Sequence, residues 1–130
     1  MDDSERLTGG NGNPVKRDGN TVIRQQGIWS PFVHQLLQFL TANGFEESPR
    51  LLNTTPTTET LTFIEGDVGN DPLKLSMQSD RVVIEAAHLL RKFHDLTQAF
   101  VVPKDAQFFL PVEPSSQHEV ICHNDFAPYN

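Results

Sequence analysis

The sequence predicts an α+β protein, and three observations carry that prediction. First, Val15-Lys16-Arg17 and Thr21-Val22-Ile23-Arg24 are short runs containing β-branched residues. They flank the glycine-centred turn Asp18-Gly19-Asn20, which is the signature of an antiparallel hairpin. Second, Glu59-Thr60-Leu61-Thr62-Phe63-Ile64 alternates polar and apolar residues, the period of a half-buried strand. Third, two longer stretches, 30–43 and 80–98, repeat apolar residues at helical spacing.

Taken in order, residues 1–8 read as frayed. Gly9-Gly10-Asn11-Gly12-Asn13 lacks bulky side chains and tolerates positive φ, which suits either a flexible turn or backbone N–H groups approaching a phosphate. It is neither a Walker A loop nor a G-x-G-x-x-G loop, and Pro14 after it cannot donate to a β-ladder. The hairpin follows, with Arg24 at its end as a solvated strand terminus or a cation for an anionic ligand. Ser30 and Pro31 open the first helix as N-cap and first helical residue. Phe32, Val33, Leu36, Leu37 and Leu40 form its apolar face, and Gly44 stops it. Pro49-Arg50-Leu51-Leu52 reads as a short strand, and 53–58 as a Thr/Pro turn before the alternating strand.

Glu65-Gly66-Asp67 begins a polar connection to about Gln78, which divides the chain into regions 1–66 and 67–130. Ser79 or Asp80 caps the second helix. Val82, Val83, Ala86, Ala87, Leu89, Leu90, Phe93 and Leu96 give that helix a wide apolar face, as expected of a buried helix. Arg91, Lys92 and His94 lie toward its C-terminal end, where the helix dipole favours cations. Residues 101–119 form a proline-containing loop anchored by Phe108, Phe109 and Leu110. Val120-Ile121-Cys122 is a last short apolar run.

Composition narrows the function classes. A chain of 130 residues suffices for one modest domain with a core. Its formal net charge is -7, from 10 Lys and Arg against 17 Asp and Glu, with no basic cluster, so no nucleic-acid partner is expected. No apolar run nears the roughly 20 residues that span a bilayer, and no polybasic or amphipathic anchor is present, so no membrane partner is expected. The acidic N-terminus is unlike a signal peptide, and the single cysteine, Cys122, allows no intramolecular disulfide. A soluble, cytoplasmic protein is the expectation.

The stretch with most chemical content is 123–130. It reads H-x-D-x-x-x-x-N, the pattern of a kinase catalytic loop. In such a loop the Asp125 carboxylate reaches an attacking hydroxyl, His123 braces the loop, and the Asn130 amide oxygen reaches a phosphate-bound metal. Three fixed residues in eight also fit an ordinary turn after a strand. A zinc site from Cys122, His123, His118 or His94 lacks any CxxC or HxxxH pair. Cys122 reads better as a small buried residue.

Joined in order, these parts resemble the aminoglycoside phosphotransferase family, relatives of the choline kinases within the protein-kinase-like superfamily. The matching pieces are Leu7-Thr8-Gly9-Gly10-Asn11, Thr21 to Arg24, Trp29 to His34, Gly44-Phe45 with Pro49-Arg50, Leu61 to Gly66, Leu89 to Asp95 and Val120 to Asn130. The resemblance implies a kinase-like small lobe, an antiparallel sheet plus a helix, followed by the beginning of a helical large lobe. It implies ATP- and Mg2+-dependent transfer of a γ-phosphoryl group to a hydroxyl of a small-molecule acceptor. Asp125 would be the catalytic base and Asn130 a metal ligand. Gly9, Gly10 and Arg24 would lie on the nucleotide phosphates, and Phe63, Ile64 and Glu65 would form a hinge beside the adenine.

The chain departs from that pattern. The helix from Ser30 has no glutamate to pair with Arg24, and no aspartate follows Asp125 to complete a metal site. Two readings follow. One is a phosphotransferase whose chain is incomplete and whose C-terminal half is a complementing partner. The other is a noncatalytic module that binds a nucleotide or a protein.

Overall fold

The structure, a computed structural model, describes residues 5–7, 14–109 and 119–128. The chain divides into two compact units, Met1–Gly66 with Val101–Pro111, and Asp67–Phe100 with Val112–Asn130. The α+β class holds, with an antiparallel sheet and two α-helices among the described residues.

The first unit contains the strands β1 (Glu5–Leu7), β2 (Val15–Asp18), β3 (Thr21–Gln25), β4 (Leu51–Thr54) and β5 (Thr58–Thr62), and the helix α1 (Ser30–Ala42). The strands form one antiparallel sheet in the order β1-β2-β3-β5-β4. The hairpin turns at Gly19–Asn20, where Thr21 Oγ1 donates to the Asp18 carbonyl at 2.8 Å. The N-terminal segment differs from its expectation: Glu5–Leu7 is paired, with Leu7 opposite Val15. Three residues carry too little periodicity to announce a strand, and it is the neighbouring ladder that fixes them. Between β4 and β5 the register slips at Leu51–Asn53, so Leu52 is an extra, exposed residue in a bulged strand.

Helix α1 follows its apolar period. Phe32, Leu36, Leu37 and Leu40 are buried, and with Phe45 and Leu61 they make the core of this unit. The start of the helix differs from the expected cap. Trp29 occupies the N-cap position, and the Ser30 hydroxyl instead accepts the Gly27 N–H at 3.0 Å. The stop is as expected and is a Schellman arrangement. Gly44 has φ of 74°, its N–H donates to the Thr41 carbonyl, and the Phe45 N–H donates to the Leu40 carbonyl at 2.9 Å. Burial of the Phe45 ring seals that turn.

The second unit contains a 3-10 turn at Leu75–Met77 and helix α2 (Asp80–Thr97). Ser79 is the N-cap, its hydroxyl accepting from the Val82 N–H at 3.4 Å. The expectation of a buried helix is corrected. Thr97 is the only fully buried residue of α2; Val82, Ala86, Leu89, Leu90, Phe93 and Leu96 of the expected face are half-buried, while Val83 and Ile84 are exposed. Periodicity records which side of a helix is apolar; it does not record how completely that side is covered. The segment after α2 is tied back by backbone geometry. The Thr97 hydroxyl accepts the Ile121 N–H at 3.2 Å, and the Gly69 N–H donates to the Pro128 carbonyl at 2.7 Å. Among the described residues no helix is long and apolar enough to cross a membrane.

Candidate functional site

The most constrained polar cluster is built on β3, β5 and α1. Register sets Arg24 directly opposite Glu59, and alternation along β5 puts Glu59 on the same inward face as Leu61. Only 2% of the Glu59 surface is exposed. Arg24 Nε donates to one of its carboxylate oxygens, and His34 Nε2 shares a hydrogen bond with the other. Moving a carboxylate out of water costs several kcal/mol, so the group persists there only because both oxygens are occupied. The acid missing from α1 is therefore supplied by β5. Glu59 was not singled out from the sequence, although it shares strand parity with Leu61 and Phe63, which is the signal that finds it.

A second cluster closes the end of the same sheet. Arg17 Nε donates to the Gly19 carbonyl at 3.0 Å, and its terminal nitrogen meets Glu65 at 3.2 Å. Its guanidinium carbon lies 3.7 Å from the centroid of the Phe63 ring, a cation–π contact. The Phe63 N–H donates to the Asn20 carbonyl at 2.8 Å. Phe63 and Glu65 are thus held by the hairpin through Arg17, also missed in the sequence, whereas Ile64 is exposed.

In the second unit, His123 and Asp125 lie on an exposed loop. The Asp125 N–H donates to His123 Nδ1 at 3.3 Å, and the His123 ring meets Phe126 edge-on, 6.0 Å between centroids. Asn124 between them has φ of 63°, a left-handed conformation that asparagine tolerates better than most residues. Cys122 is exposed, against the expectation of a buried residue. Gly9, Gly10, Leu110 and Asn130 lie outside the described residues. Among the described residues no group of three His, Cys, Asp or Glu side chains is placed to hold a metal ion.

One cleft belongs wholly to the first unit. Ile28, Pro31, Phe32, Gln35, Asp105 and Gln107 line a space of about 160 Å³ at the start of α1. Aromatic pairs hold its wall. Phe108 packs edge-on against Phe32 and Phe109 against Trp29, with centroids 4.8 and 4.7 Å apart. This bears out the anchoring role expected of both phenylalanines. Pockets for whole small molecules run from about 300 to 1,000 Å³. The cleft is smaller than that and suits one protruding side chain or ring, and exposed Ile28 and Phe109 extend its apolar character onto the surface.

The chain is 35% identical over 136 residues to the trifolitoxin immunity protein of Rhizobium leguminosarum bv. trifolii. The match covers 100% of this chain and 50% of that protein, so the chain spans about half the length of the curated relative it matches. No protein-family model matches the chain, and no solved structure matches it. These findings correct the resemblance to aminoglycoside phosphotransferases and the kinase function drawn from it. The relative matched across the whole of this chain is named for immunity to a toxin. The physical reason is that a glycine turn, a hairpin, a capped helix and an eight-residue loop pattern are each common, and their order alone does not specify a chemistry.

Proposed function

We propose that this chain contributes to immunity against a toxin of the trifolitoxin kind, and that it does so by binding. The observation that carries the proposal is the 35% identity to the trifolitoxin immunity protein across the whole of this chain. The candidate contact surface is the cleft at the start of α1, lined by exposed Ile28, together with exposed Phe109, whose ring packs on the neighbouring Trp29. Asp105 on its rim offers a polar contact that fixes orientation. Aromatic residues in such a place supply large contact area at low entropic cost.

Expression of the chain in a trifolitoxin-sensitive rhizobial strain tests this, with the full-length relative as a positive control. The expected result is survival at toxin doses that kill the empty-vector strain, and loss of that protection in the F109D variant while its protein level is maintained. Full sensitivity of cells that accumulate the folded wild-type chain would overturn the proposal.

A further inference from the structure

The cleft at the start of α1 is selective in chemistry as well as in size. Ile28, Pro31, Phe32 and Pro103 give it apolar walls, and the polar groups that reach it are Gln35, Asp105 and Gln107. Asp105 is its only charged lining residue; Lys104, beside it in sequence, does not line the space. Among the described residues the Asp105 carboxylate makes no ion pair or hydrogen bond, and the Gln35 and Gln107 amides make no side-chain hydrogen bond. The acid of the buried cluster, Glu59, is the contrasting case, since both its oxygens are occupied. The unengaged groups of the cleft are thus one carboxylate and two amides.

The charge decides what fits. A wholly apolar occupant would strip water from the Asp105 carboxylate and return no hydrogen bond, which costs free energy. An anionic occupant would meet that carboxylate in a chain whose formal net charge is -7. A side chain with an aliphatic stem and a cationic tip satisfies both parts, its stem against the apolar wall and its tip on the carboxylate. The amide oxygens of Gln35 and Gln107 can accept the N–H groups left over. We propose that the cleft receives a lysine or arginine side chain of its partner, and that Asp105 selects the positive charge. That the partner is a toxin rests on the immunity reading; the preference for a cation rests on the cleft.

Amide chemical shifts of the chain, titrated with small probes, test it. n-Butylammonium and n-butylguanidinium stand for the two basic side chains, and butan-1-ol, of the same length as the first, stands for a neutral one. At least one cation is expected to shift amides within 28–35 and 103–107 saturably at millimolar concentration. Its binding should be roughly fivefold or more tighter than that of butan-1-ol. D105N should bring the cations to the level of the alcohol while the alcohol and the rest of the spectrum stay as in the wild type, which separates loss of the charge from loss of the cleft. Butan-1-ol binding as tightly as both cations would overturn the inference. So would a cation preference that survives D105N, or shifts confined to residues outside the cleft. A chain that prefers the cations but does not bind trifolitoxin would refute the immunity reading and leave the preference of the cleft standing.

Discussion

Glu59 is the residue on which the first unit most depends, because its burial is tolerable only with both partners in place. The consequences of removing each partner differ in size. Arg24→Ala leaves a carboxylate that is 2% exposed with His34 alone. We expect a loss of about 3 kcal/mol in urea unfolding, the low end for a broken buried pair. Glu59→Leu removes the buried charge itself, and the Arg24 side chain, 38% exposed, can turn to water. That change should cost less, roughly 1–2 kcal/mol, because the penalty for a broken pair comes from a charge left buried, and the one left here reaches water. The opposite ranking in the same urea titration would mean that the cluster is not held as described. The cluster was legible in part. Arg24 stood out as a strand cation without an acid on α1. Its partner was overlooked because an alternating run is read for its apolar members, and the acid among them looks solvated until register puts it opposite an arginine.

At the scale of elements, two glycines give clean tests. Gly44 ends α1 with φ of 74°, and a Cβ there would meet nothing within 4 Å. Gly44→Ala should therefore cost only the backbone term, about 1–2 kcal/mol, measured by thermal or urea unfolding, without altering the core. Gly69 is different. Its φ is not the issue; a Cβ there would sit 2.7 Å from the Pro128 Cβ and 2.9 Å from the Pro128 carbonyl oxygen. Gly69→Ala should break the Gly69–Pro128 hydrogen bond and release the 119–128 segment, seen as faster exchange of the residue-69 amide and shifted His123 resonances. Unchanged spectra would contradict that contact. The hairpin, α1 and β5 were readable because their apolar period and turn residues agree. β1 was not, because three residues are specified by the strand beside them. The amphipathic character of α2 was readable, but how completely its face is covered was not, since nothing in a local period says what lies opposite.

Among the described residues the fully buried apolar side chains lie in the first unit, and in the second the apolar stripe of α2 is half-buried. Fold class was legible because hydrophobic periodicity is spread over many residues. Function was not, because short pieces from Leu7 to Asn130 resemble a kinase family in their order, and the match to an immunity protein across the whole of this chain points elsewhere. At this scale the surface pair V83E/I84E should change the unfolding free energy of the chain alone by less than about 0.5 kcal/mol, as for exposed sites. A loss of several kcal/mol in that urea titration would mean that these two side chains are buried rather than exposed.

The proposal of immunity by binding is tested most directly by calorimetric titration of purified trifolitoxin into the purified chain. Saturable binding at about micromolar Kd or tighter, roughly −8 kcal/mol, is expected, weakened at least tenfold by F109D. Absence of binding by the folded wild-type chain, or wild-type affinity in F109D, would contradict recognition at the α1 cleft.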